Sequence, residues 1–166
     1  MSDYLIAESG IRQLHARFTD AVWRKDFTAF ADCFTESAEW KIAGLHFKGR
    51  NEIGETISKL LAPYSRILIN LGLPVLDING NTATGRIHLT EQAKLTDGSS
   101  VLTIGVYFDR YAIENGQWKF NWRHFSLHYR GPTDLSAPLV PSPDYGPPPA
   151  MPPEDAPTLT RRKEPV

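Results

Sequence analysis

The chain has little cysteine, no excess of charge and no long apolar run. Cys33 is the only cysteine in 166 residues, which excludes an internal disulfide and a cysteine-cluster metal site. Phe30 and Phe34 flank it at helical spacing, so it reads as a packing residue. Eighteen Lys and Arg oppose nineteen Asp and Glu, for a net charge of −1. That balance gives no pull toward nucleic acid or an anionic membrane surface. No apolar stretch approaches the roughly 18 to 20 residues of a membrane span. The first thirty residues lack a basic start followed by an apolar run, so no secretory leader is expected, and a cytoplasmic location is the expectation. The histidines and carboxylates show no ligand-type clustering, so no metal site is expected.

Periodicity supplies the first half of the fold. Ser2 and Asp3 can cap a helix whose stripe is Ile11, Leu14, Phe18, Ala21 and Val22, fading near Lys25. A short helix follows from Asp26 or Thr28 and carries Phe27, Phe30, Ala31 and Phe34. Ala38, Trp40 and Ile42 then alternate with polar residues as a strand, and Leu45 and Phe47 continue the hairpin past Gly44. Ile53, Ile57, Leu60 and Leu61 mark a third helix ending before Pro63.

Residues 65–130 read as four long strand stretches. They are separated by Asn79-Gly80, Asp97-Gly98 and Asn115-Gly116, which are hairpin turn pairs. Gly72 and Pro74 inside the first stretch predict a bulge or bend, which lets a long sheet curl. Eleven of the thirteen prolines lie in residues 131–166, where neither helix nor internal ladder can form. The expectation is α+β: a cone-shaped barrel with three N-terminal helices on a curved, mostly antiparallel sheet, spanning residues 1–136. Residues 137–166 are expected to form a proline-rich, partly disordered arm; in the segment from Gly131 on, Leu135, Leu139 and Tyr145 order the first half and the final TRRKEPV is loose. A cone of this kind shelters a small apolar pocket with a few polar groups.

The segments FADCFTESAEW, GLHFKGRNEI, DINGNTATGRI, GVYFDRYAIENGQWKFNWRHF and YRGPTDLS, in this order, resemble the SnoaL-like branch of the nuclear transport factor 2-like superfamily. That group includes scytalone dehydratase, ketosteroid isomerase and polyketide cyclases as well as non-catalytic binders. The resemblance implies a small apolar or aromatic ligand, cofactor-free proton-transfer chemistry, and a homodimer or homotrimer associating through the outer sheet face. It also implies a tyrosine, an aspartate and a histidine at positions held here by Phe18, Trp23 and Arg66. None of these three can replace the original proton donor or base. An arginine that lines the pocket in some dehydratases matches Arg123.

The remaining candidates come from the residues themselves. His88 and Glu91 lie on one strand. Alternation puts Glu91 inward if Ile87 and Leu89 face in, and a bulge would bring His88 in instead. Either could be a base. Regular pairing about the Asn115-Gly116 turn sets Phe108 opposite Arg123 and Asp109 opposite Trp122, so Asp109 and Arg123 should point to opposite faces. Arg123 and Tyr64 would hold a developing oxyanion, and Asp109 would serve structure or an interface. Tyr64, Trp40, Phe18, Trp23, Arg66 and Asp109 complete the expected lining of the site. The function expected is a dehydratase-like lyase or isomerase for a small cyclic or aromatic carbonyl compound, the alternative being a binder of the same fold.

Overall fold

The Ser2 hydroxyl accepts a hydrogen bond from the Leu5 amide and starts α1 (Asp3–Arg24). In this computed structural model, which describes residues 2–160, the helix buries Ala7, Ile11, Leu14, His15, Phe18, Ala21 and Val22 along one stripe. It stops at Lys25, whose φ of 53° is left-handed. Asp26 caps α2 (Phe27–Asp32), its Oδ1 accepting from the Ala29 amide at 2.9 Å. The helix is shorter than its apolar pattern: Cys33 caps it, and Phe34 already opens strand β1 (Phe34–Ile42). A turn at Ala43-Gly44, both at positive φ, leads into β2 (Leu45–Lys48). α3 (Arg50–Leu61) buries Ile53, Ile57 and Leu61.

The strand-rich half divides where Gly72 and Pro74 predict a bend. β3 (Tyr64–Leu71) and β4 (Val75–Asn79) both pair with β5 (Thr82–Leu95), because Pro74 cannot continue a ladder. β6 (Ser100–Glu114) and β7 (Gln117–Gly131) complete one seven-stranded sheet in the order β2-β1-β7-β6-β5-β3, with β4 beside β5. Every pairing is antiparallel except β1 with β7. The curved sheet and its covering helices form the α+β cone expected from the sequence.

Two irregularities set the faces of β7. Tyr111 pairs with Phe120, but Arg110 pairs with Trp122, so Asn121 is an extra residue bulging from the ladder. A second shift lies between Ile104 and Gly105. The Asn121 bulge corrects the register expected from the turn. Asp109 stands opposite Arg123, not opposite Trp122, and both side chains enter the cone.

Beyond Gly131 the arm lies along the outer face of the sheet. The Val140 amide donates to the His128 carbonyl at 2.7 Å, and Arg86 Nη1 to the Gly146 carbonyl at 2.9 Å. Lys41 Nζ donates to the carbonyls of Glu154 and Ala156, and Glu154 pairs with Arg110 at 2.6 Å. Tyr145 and Met151 cover Val106, Phe108 and Trp122. This patch of the outer face, where subunit contact was expected, is therefore covered by the chain's own arm. Of the tail expected to be loose, residues 161–166 lie outside the described residues.

Gly105 sits beneath the Phe125 ring. A Cβ there would meet that ring at 2.4 Å and the Ser126 carbonyl oxygen at 2.5 Å. Gly105→Ala should therefore cost about 1–3 kcal/mol in chemical denaturation, as overpacking does; an unchanged midpoint would contradict this packing. A second test concerns His124, stacked on Trp122 under the arm. Burial, followed by the Lys41 charge, pushes its imidazole down to about 4. The unfolded chain takes up that proton at roughly pH 6.5. The stabilising contribution is thus present above that pH and is lost as pH falls toward 4. Across this window the melting temperature should fall less steeply in His124→Gln than in the parent chain, and parallel curves would refute the assignment.

Candidate functional site

The apolar alternation of β5 decides between its two candidates. Ile87, Leu89 and Glu91 are buried on one side, while His88 is exposed on the other. His88 therefore stands outside the cone, because β5 runs through this stretch without a bulge. Glu91 reaches a cavity of about 40 Å³ that Phe18, Trp40, Tyr64 and Tyr107 also line, together with Ile57, Leu60 and Leu61 from α3. Two residues of this wall carry buried polar atoms with no hydrogen-bond partner among the described residues: Oε1 of Glu91 and Nε1 of Trp40. One can only accept, as a carboxylate, and the other can only donate. Buried polar atoms are nearly always paired, so two orphans of opposite type on residues lining one cavity mark it as the candidate site. Tyr64 sits at the same wall, its hydroxyl accepting from Arg130 Nη2 at 3.1 Å.

A second polar group lies behind the aromatic wall of the cavity. Arg123 donates to Asp109 through Nε at 2.8 Å and Nη2 at 3.1 Å, and neither residue has any solvent exposure. The guanidinium packs against three rings, 3.7 Å from the centre of Tyr107, 3.9 Å from Phe120 and 4.4 Å from Phe18. Burial holds the Asp109 carboxyl above its usual range, and Arg123 followed by Tyr111 opposes that shift without cancelling it. Facing the Arg123 guanidinium across two hydrogen bonds, the ionised carboxylate is the form that fits. The Tyr111 hydroxyl, 3.2 Å from Asp109 Oδ2, must then be the donor. His15 Nε2 lies 2.9 Å from the same hydroxyl and must donate to it, since Tyr111 has a single proton. Burial, and secondarily the Arg123 charge, holds His15 well below the usual imidazole value, so its ring is neutral at neutral pH.

The positions that the resemblance assigned to catalysis separate. Phe18 is buried in the cavity wall. Trp23, half exposed, stands on the outer side of α1 with the Arg66 guanidinium 5.7 Å from its ring centre, outside the cavity lining. Sequence reasoning missed His15 and Tyr111 as partners of Asp109. His15 could have been found, because it is four residues from Ile11 and three from Phe18 on the buried stripe of α1. Tyr111 carried no signal until the bulge fixed which side of β6 is inward. Burial raises the Cys33 thiol to about 11, which fits a packing residue. Among the described residues no three His, Cys, Asp or Glu side chains converge as metal ligands, and no helix is long and apolar enough to cross a membrane.

Comparison with known proteins places this geometry. No curated protein sequence matches the chain. Solved structures do. Hexachlorocyclohexane dehydrochlorinase LinA-type3 from Novosphingobium barchaimii LL02 superposes with a TM-score of 0.72 at 19% identity, over 84% of this chain and 98% of that one. A candidate scytalone dehydratase from Novosphingobium aromaticivorans DSM 12444 gives 0.73 at 18%, over 82% and 93%. A nuclear transport factor 2-like superfamily protein from Salmonella enterica serovar Typhimurium LT2 gives 0.68 at 19%, over 75% and 92%. At such identities the likeness is one of fold. The sequence profile of the SnoaL-like domain matches residues 3–124, from the start of α1 through the paired Asp109 and Arg123 to His124. By that match, over nearly three quarters of its length, the chain belongs to the SnoaL-like domain family, with the nuclear transport factor 2-like cone as its fold.

Proposed function

We propose that the chain is a cofactor-independent lyase or isomerase acting on a small cyclic or aromatic carbonyl compound inside the cone. The observation that carries this reading is the pair of unpartnered atoms, Glu91 Oε1 and Trp40 Nε1, in one apolar cavity. In this mechanism the Glu91 carboxylate takes a proton from the carbon beside the substrate carbonyl. The electron pair moves onto the carbonyl oxygen, and the resulting enolate accepts a hydrogen bond from Trp40 Nε1–H. Collapse of the enolate expels a leaving group from the next carbon, or returns the proton from the Glu91 carboxyl to another carbon. The first outcome is elimination and the second is isomerisation. The dehydrochlorinase and dehydratase names among the fold neighbours agree with the elimination branch.

This division of labour differs from the one expected from the sequence. Arg123 is engaged by Asp109 and lies behind Phe18 and Tyr107, so it stiffens the wall and the oxyanion role passes to Trp40. A cavity of about 40 Å³ holds little more than one water. A ring substrate must therefore displace part of this lining as it binds. The alternative is a non-catalytic binder. It draws on Phe18, Trp23 and Arg66 standing where the resemblance calls for a proton donor and bases.

The test begins with cyclic ketones and phenols screened by melting temperature, and any stabilising compound is then followed for turnover or for exchange of its α-hydrogens in D₂O. Glu91→Gln should leave the stabilisation in place and slow exchange by about 10²–10⁴-fold. Binding without exchange in the parent chain would establish the binder instead. Trp40→Phe keeps the ring and removes the donor. It should lower the exchange rate by about 10²–10³-fold with little change in the concentration needed for half-saturation, and an unaltered rate would remove Trp40 from the mechanism.

A further inference from the structure

The row of the sheet that holds Glu91 ends in a positive charge. Glu91 on β5 stands opposite Thr103 on β6, and Thr103 stands opposite Arg130 on β7. Directly opposed residues of antiparallel strands project from one face, so Thr103 and Arg130 enter the cone on the same side as Glu91. Neighbouring strands lie about 4.8 Å apart, which sets the Glu91 and Arg130 backbones about 10 Å from each other.

The Arg130 side chain reaches back along this row. Its Nη1 donates to Thr103 Oγ1 at 2.8 Å, and its Nη2 donates to the Tyr64 hydroxyl at 3.1 Å. Tyr64 opens β3, two strands beyond Thr103, and lines the Glu91 cavity. The two bonds therefore hold the guanidinium inside the cone, next to the Tyr64 side of that cavity. A guanidinium has five N–H donors, and these contacts use two of them. Arg50, Arg110 and Arg123 each have a carboxylate: Glu114, Glu154 and Asp109. Among the described residues no carboxylate pairs with Arg130. The residue is partly exposed, and its Nε, which has no partner among the described residues, is not one of the sealed polar atoms. Arg130 thus keeps accessible donors and an uncompensated charge, with its orientation already fixed.

We propose that Arg130 is a specificity residue that anchors an anionic substituent, so that the substrate is a ring ketone carrying a carboxylate. This rests on the reading of Glu91 as the base. The carbonyl side of the ring lies at Glu91 and Trp40, the ring passes over Thr103, and the carboxylate meets Arg130 at Nε and the remaining Nη hydrogens. Across one ring the substrate carboxylate stays clear of the Glu91 carboxylate. Thr103 and Tyr64 are positioning groups that hold the guanidinium toward the ligand. A charged pair in this partly desolvated setting is worth more than a neutral hydrogen bond, which is the source of the preference.

The experiment uses the full chain and two ring ketones of similar size, 4-oxocyclohexanecarboxylate and the neutral 4-methylcyclohexanone. By calorimetry at low salt the acid should bind about tenfold more tightly. Added salt should weaken the acid and leave the neutral ketone as it was. Arg130→Gln should erase both the preference and the salt dependence. Glu91→Gln should keep the preference while slowing exchange of the α-hydrogens of the acid in D₂O. Preference without any exchange in the parent chain would uphold the anchor and remove Glu91 as the base, so the two readings fail separately. Equal affinity of the parent chain for both compounds would overturn the proposal, and that measurement needs no variant. So would binding of neither at millimolar concentration, or an Arg130→Gln chain that loses affinity for both by the same factor, as a mere clamp on Tyr64 would.

Discussion

The interior depends on one ion pair, Asp109 with Arg123. Both are fully buried, in a part of the cone otherwise built from aromatic rings. Deep burial of either charge alone would be costly, and removing one partner of such a pair typically costs about 3–5 kcal/mol. Here the pair is bidentate, Tyr111 adds a third hydrogen bond to the carboxylate, and three rings cover the guanidinium. The neutrality of His15 follows from the same arrangement, since burial and the adjacent guanidinium both oppose its protonation. The ion pair thus orders the aromatic wall of the cone cavity, where Phe18 and Tyr107 lie against the guanidinium.

That pair exists because β7 contains one residue too many. With Asn121 bulged out, Phe120 and Arg123 both face inward although three positions apart, and Trp122 and His124 face the arm. Without the extra residue, regular alternation would separate the two charges across the sheet. One bulge therefore places an acid with its base inside the cone and an apolar residue with a buried imidazole outside. On the outer side the arm takes advantage of this. Tyr145 and Met151 bury Phe108 and Trp122, while Lys41, Arg86 and Arg110 hold arm carbonyls and the Glu154 carboxylate. A proline-rich segment suits the task, because it presents carbonyl acceptors along an extended path and has few amides to satisfy.

The local features were legible before the structure. Helix spacing marked α1 and α3, the Asn-Gly and Asp-Gly pairs marked the hairpins, and Gly72 with Pro74 marked the break between β3 and β4. Glu91 was legible as an inward residue because the apolar positions around it alternate without interruption. His88 stayed ambiguous for as long as a bulge in β5 was open, and the regular β5–β6 register removed that option. The end of α2 was misread since Phe34 continues the helical apolar pattern, although Cys33 is where the backbone turns into β1. The Trp40 indole was expected at the pocket, but its lack of a hydrogen-bond partner is a property of its surroundings and not of its sequence position.

What the amino-acid order determined alone is what short-range chemistry determines: the succession of helices and strands, the turns, the apolar lining of a cone and the change of character at residue 131. Tertiary packing decided which face of β6 and β7 holds charge, that His15 joins Tyr111 and Asp109 across 96 and 94 positions of chain, and that the arm lies on the outer sheet face. The physical reason is that one inserted residue in a strand reverses every side chain beyond it. Whether a strand accepts that residue depends on how well both of its faces can then be covered.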